Sequence, residues 1–216
     1  MKRTILLLAS VTLVACEGYG SSANGSAATH EPSTPPEGVY GQAPAARSGV
    51  PAVVVMAPAP TAQSEAGVSP FAFDDPVIDQ FGLVFSPTQL VVEAGTTLLF
   101  MNSESALTHN VQVWDPAAKT MLLDSDALPG DRIEITLTEV GGYDILCDEH
   151  PGMRAFVFVT ASPYAVFADS DGTFELGFAP VGDYLARAWT VDEGFGPEVA
   201  LSVAEIRTGV DMRPAG

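Results

Sequence analysis

The chain has 216 residues, 47% of them apolar and 8% aromatic, and carries 9 basic against 27 acidic side chains for a formal net charge of −18. That length and apolar content suffice for one good core and a second, smaller one. The acidic balance leaves no basic patch to hold phosphates, which excludes nucleic acid as a partner. It suits a basic protein partner, or serves solubility alone.

Residues 1–15 read as an export signal: Lys2 and Arg3 form a positive start, Thr4 to Leu13 an apolar run, and the segment is too short to span and remain in a bilayer. Its end, Leu13-Val14-Ala15-Cys16, resembles a bacterial lipoprotein box, which implies Cys16 as the lipidated first residue of the mature chain and a stable anchor of more than one acyl chain. Glu17 follows where inner-membrane retention typically calls for Asp, so the expectation is the periplasmic side of the cell envelope, with the outer membrane preferred. Residues 16–70 are rich in Ala, Pro, Ser and Gly, without a periodic apolar face, and are expected to be a disordered tether. About fifty such residues span on the order of 40 Å. His30 sits in that tract as a polar residue, and Val53-Val54-Val55-Met56, its one apolar run, reads as a stray strand of the domain that follows.

Order is expected from Phe71. Phe81 to Phe85 reads as a short strand closed by Ser86-Pro87; Leu90-Val91-Val92 turns at Glu93-Ala94-Gly95 into a strand from Thr96 to Met101. Val111 to Trp114 and Ile133 to Leu137 alternate, Leu128 to Asp131 turns, Tyr143 to Leu146 runs into Cys147, and Ala155 to Val159 follows. Short β-rich runs at this spacing, with no helical stretch, predict an all-β sandwich over 71–160. After Ser162-Pro163 a second β unit is expected over 161–216: Ala165 to Ala168, a hairpin turn at Asp169 to Gly172, a return strand Thr173 to Leu176, then Tyr184 to Trp189, Val199 to Val203 and Ile206 to Met212. About 55 residues make a marginal unit alone, so it should pack on the preceding domain.

The chemistry concentrates in Cys147-Asp148-Glu149-His150-Pro151-Gly152-Met153, a C-x-x-H-x-x-M spacing, with a second imidazole upstream at His109. One thiolate, two imidazoles and a weak thioether form the donor set of a type 1 copper site, a compromise between soft Cu(I) and harder Cu(II). Zinc fits less well, because its structural sites take four strong donors. Only two cysteines are present; if Cys16 carries lipid, Cys147 has no disulfide partner in the chain, and a metal thiolate accounts for a thiol kept in an exported protein.

These residues, with Phe85-Ser86-Pro87, Val91 to Gly95, Thr96 to Asn102, His109-Asn110 and Gly142-Tyr143, resemble the cupredoxin family, the plastocyanin, amicyanin and pseudoazurin group, over about Phe71 to Thr160. The resemblance implies a Greek-key sandwich, one copper ion held by His109, Cys147, His150 and Met153, and electron entry at the His150 edge beside Leu107, Pro151 and Gly152. It also implies that Asn110 ties the His109 strand to the cysteine loop. Asp148-Glu149 departs from the small or proline residues usual there, and their charge should favour Cu(II) and lower the potential. The C-terminal unit resembles the transthyretin-like, carboxypeptidase regulatory-type β module through Asp169 to Leu176 and Pro180 to Tyr184, which implies a noncatalytic stabilising or spacing role. The expected function is one-electron transfer between redox partners, a basic cytochrome-like protein among them, by a monomer. A copper-handling role uses the same ligands. Copper oxidase or nitrite reductase chemistry needs a second, histidine-rich centre, and the chain has three histidines in all.

Overall fold

A computed structural model describes residues 38–46, 48–60, 76–177, 179–204 and 208–214. The export signal, Cys16, His30, tether residues 17–37 and 61–70, and residues 71–75 lie outside the described residues. Seventeen strands follow in chain order: β1 (Val39–Gln42), β2 (Val53–Pro58), β3 (Val77–Phe81), β4 (Val84–Ser86), β5 (Gln89–Glu93), β6 (Thr96–Asn102), β7 (His109–Asp115), β8 (Thr120–Ala127), β9 (Arg132–Leu137), β10 (Gly141–Leu146), β11 (Arg154–Thr160), β12 (Tyr164–Phe167), β13 (Thr173–Leu176), β14 (Gly182–Thr190), β15 (Gly194–Phe195), β16 (Val199–Val203) and β17 (Thr208–Asp211). The described residues contain no helix, in line with the all-β expectation.

The strands form four sheets. The order β4-β3-β6-β9 faces β5-β11-β10-β7-β8 in a first sandwich; alternate residues Ile78, Phe85, Leu98, Phe100, Val111, Val113, Tyr143, Ile145 and Val157 close its core. The second pairs β13-β1-β17 with β12-β2-β14-β15, to which β16 adds along β14, over Val39, Val54, Met56, Phe174, Leu176, Tyr184 and Ala186.

A third apolar seam, Val53, Val91, Phe156, Phe158, Ala165 and Trp189, joins the two sandwiches. This explains why some strands read as unbroken apolar runs. Ala155, Val157 and Val159 of β11 face the first core, while Phe156 and Phe158 between them face the seam. The same parity splits β2, with Val54 and Met56 turned to the second core and Val53 to the seam.

Three sequence expectations are corrected. The tether does not extend unbroken to residue 70: β1 and β2 lie within it, and they build the second sandwich, β1 between β13 and β17 and β2 between β12 and β14. Without alternation, Val53 to Met56 carries no one-face signal, because both faces are covered. Residues Phe81 to Phe85 are a hairpin turn, not one strand: Gly82 and Leu83 both take positive φ, 67° and 63°, and β3 pairs antiparallel with β4 across them. Finally, Thr173 to Leu176 is no return strand of a hairpin. β12 pairs with β2 and β13 with β1, and Gly172 lies against the Ala43 carbonyl, with the Ala43 N–H donating to the Gly172 oxygen at 2.8 Å.

The seam makes one stability prediction. A Cβ on Gly142 of β10 would run into the Phe156 ring and stand 2.5 Å from Trp189 Cη2. Gly142→Ala should therefore cost about 1–3 kcal/mol by overpacking, read as a lowered urea midpoint with an unchanged slope.

Candidate metal centre

Strand parity builds the site. On β7, His109, Val111 and Val113 point into the first core; on the neighbouring antiparallel β10, Tyr143 and Ile145 do the same, and Cys147 continues that face just past the strand end. The ladder between these strands covers only Gln112 to Trp114 against Asp144 to Leu146. Beyond it the two chains are no longer paired, and the side chains of His109, Cys147 and His150 meet at that end.

The loop after Cys147 is closed on itself. The Cys147 N–H donates to the Met153 carbonyl at 3.3 Å and the Met153 N–H to the His150 carbonyl at 3.0 Å; Gly152 takes a φ of 99°, which favours glycine. His150 is thereby turned back toward Cys147. His109 Nδ1 and His150 Nδ1 are 3.0 Å apart, and Cys147 Sγ is 3.7 Å from His150 Nδ1. The three donors all lie within 4.8 Å of one another. Atoms that each bind one ion at ~2.0–2.3 Å can be at most about 4.6 Å apart, and both measured separations fall inside that span. Two ring nitrogens and a sulfur this close together suit a single soft-to-borderline ion, and copper suits that donor set. Met153 is buried in the same apolar cluster as Cys147, where a thioether is the one weak donor.

The surroundings hold these groups in place. The Asn110 backbone N–H donates to Cys147 Sγ at 3.3 Å. The tie between the His109 strand and the cysteine loop is therefore made by the main chain of Asn110, while its side-chain amide donates to Asp124 Oδ1 at 2.9 Å. Asn102 fixes the approach to His109: its Nδ2 donates to the carbonyls of Leu107 at 2.9 Å and Ala127 at 2.7 Å. Gln80, fully buried, donates from Nε2 to the Asn110 carbonyl at 3.2 Å. Asp124, Asn102 and Gln80 carry no motif that marks them in the sequence; only the register of β7 on β8, Gln112 opposite Asp124, brings the first of them in.

The two imidazoles differ. His109 is fully buried, and its Nε2 has no hydrogen-bond partner among the described residues. His150 is half-buried, beside exposed Pro151 and Gly152; Leu107, 41% exposed, lies two residues before His109. Asp148 and Glu149 are both exposed. Burial, and then the neighbouring His150, lower the His109 pKa from its ordinary 6.5, with Glu104 opposing. A depressed folded-state pKa means that the unfolded chain takes up the proton first. In the metal-free protein the stability tied to this group is complete above about pH 6.5 and is lost as pH falls below it. Chemical denaturation between pH 7 and 5 should show that loss, and His109→Gln should flatten it. Asp144, raised by burial, acts in the opposite direction at lower pH and is common to both proteins.

Residues 75–160 match the family described as copper binding proteins, plastocyanin/azurin family. The chain is 33% identical over 82 residues to plastocyanin A/B of Petroselinum crispum, covering 34% of this chain and 82% of that protein. To plastocyanin of Lactuca sativa it is 36% identical over 81 residues, covering 33% and 80%. Among solved structures it is similar to amicyanin from Paracoccus versutus, with 26% identity and a TM-score of 0.37 over 40% of this chain and 82% of that one.

Proposed function

The chain belongs to the plastocyanin/azurin family of copper-binding proteins, and from that premise we propose that it is a type 1 copper protein carrying single electrons between redox partners at a bacterial cell-envelope membrane. The observation that carries this reading is the convergence of His109, Cys147 and His150 on one point, two of them buried and the third reaching the surface. His109, Cys147 and His150 are the strong ligands and Met153 the weak axial one. Copper so held supplies a one-electron couple whose two states tolerate the same ligand geometry.

The chain's own residues do the rest. The closed loop from Cys147 to Met153 and the buried, fixed His109 limit rearrangement when charge changes. The half-buried His150 edge, with Leu107, Pro151 and Gly152 around it, gives electrons a short way in and an apolar face for docking. Exposed Phe81, Leu83 and Val84 extend that face, because the Gly82 N–H donates to Glu104 Oε1 at 2.7 Å and brings the β3–β4 turn to the loop that carries Leu107. The net charge of −18 favours a basic partner of cytochrome type. Asp148 and Glu149 bias the couple toward Cu(II).

The leader and Cys16 supply the anchor of a lipoprotein on the periplasmic side, preferably of the outer membrane, and residues 17–37 the reach. The second sandwich, assembled from 38–60 and 161–214, is a noncatalytic β unit of the transthyretin-like kind, and the protein works as a monomer without a catalytic site of its own.

The test separates carriage of electrons from carriage of copper. The copper-loaded full chain should show a reversible one-electron wave at constant copper content and reduce a basic c-type cytochrome at a rate that falls as salt rises. Stoichiometric loss of Cu(I) to a chelator such as bicinchoninate on reduction, with no reversible wave, would mark a copper donor instead.

A further inference from the structure

The Asn110 N–H is positioned by an unusual set of contacts. At Asn110, β7 has run past its ladder with β10, so no strand partner on that side fixes its orientation; the N–H points to Cys147 Sγ instead, at 3.3 Å. On its other side the residue stands opposite Asp126 in the β7–β8 ladder; toward the site it is held by Gln80 on its carbonyl, at 3.2 Å, and by Asp124 on its side-chain amide, at 2.9 Å. Asn110 Oδ1 is buried without a partner among the described residues; the Asp124 carboxylate is therefore the hydrogen-bonding anchor of that side chain. Asp124 reaches the cysteine loop by a second route. Gln112 Nε2 lies 3.4 Å from Asp124 Oδ1 and 3.4 Å from Asp148 Oδ2, the residue after Cys147. One exposed carboxylate on the edge strand β8 is thus stitched to both sides of the thiolate.

We infer that Asp124 is a positioning residue of the copper centre: through Asn110 it holds the N–H···S bond to Cys147, and so tunes how much charge the sulfur gives to the metal. The inference rests on the copper reading above. An N–H donated to a ligand sulfur withdraws charge from it and favours the reduced ion, so a looser bond lowers the potential. The negative charge of Asp124 itself favours Cu(II) and also lowers the potential. Two substitutions separate these effects. Asp124→Asn removes the charge and keeps an oxygen to accept from Asn110; Asp124→Ala removes both.

The experiment uses the full chain with three readouts: the Asn110 amide proton shift in the metal-free protein, the same shift in the Cu(I) protein, and the reduction potential. Asp124→Asn should leave the Asn110 shift near that of the wild type and raise the potential. Asp124→Ala should move the Asn110 proton upfield in both forms, shift the visible sulfur-to-copper band, and give a potential below that of Asp124→Asn. Equal potentials and equal Asn110 shifts in the two variants would overturn the inference and leave Asp124 as a charge only. The metal-free readout keeps the two claims apart: an Asn110 shift that moves in Asp124→Ala, in a protein that never turns blue, would support the tether and overturn the copper reading.

Discussion

Cys147→Ser is expected to fold, to lose the intense visible absorption entirely, and to bind copper, if at all, as an ordinary tetragonal centre. Cys147 is 5% exposed, and its backbone is held by the Met153 carbonyl whatever the side chain. A serine oxygen accepts from the Asn110 N–H as the sulfur does, so the cost in stability is that of a small polar swap, about 1–2 kcal/mol. The optical effect is of another order, because the intense band belongs to the thiolate–copper bond and no other side chain here supplies one: Cys147 is the free, buried cysteine of the described residues. Circular dichroism and the visible spectrum of the copper-loaded variant check both halves. A variant that stays blue, or one that fails to fold, contradicts the ligand assignment or the placement of the site at the end of a self-sufficient core.

Trp189→Ala should be the most damaging single truncation outside the centre, at about 3–5 kcal/mol. Its ring lies 5.0 Å from that of Phe158 and 5.8 Å from that of Phe156, centroid to centroid, and it fills the space that the missing Cβ of Gly142 leaves open. These contacts are the middle of the seam, and a buried aromatic of this size contributes through area and ring geometry together. Calorimetry should show the second sandwich losing cooperativity with the first. The blue spectrum should survive at temperatures below the transition, since Cys147, just past the end of β10, lies five residues from Gly142, roughly 16 Å of extended chain. A variant as stable as the wild type would mean that the two sandwiches do not support one another.

The candidate site was legible because its residues are written in one short spacing: Cys147, His150 and Met153 sit on one loop, and His109, which the structure brings to Cys147 and His150, opens a strand that alternates. The first sandwich was legible for the same reason, since Ile133 to Leu137 and Val111 to Trp114 have one wet face. The second was not. Val53 to Met56 lies between two cores, so its pattern has no period, and it stands more than a hundred residues from β14, its partner in the sheet; a composition rich in Ala and Pro then read as tether. The Gly82-Leu83 turn was hidden by a leucine where positive φ favours glycine or asparagine. Asp124 was invisible as a site residue because its part depends on strand register.

These features decide how the central claim is best tested. A fragment beginning at Phe71 lacks β1 and β2 and would leave β12, β13, β14 and β17 without strands they pair with, so the protein to use is the full chain. The measurement is its visible and electron paramagnetic resonance spectra during titration with Cu(II), followed by cycles of reduction and reoxidation. An intense blue band with narrow copper hyperfine splitting, saturating at one ion per chain, bleaching on reduction and returning on reoxidation, is the result expected. A colourless protein, or one with the broad hyperfine splitting of a tetragonal site, would contradict it.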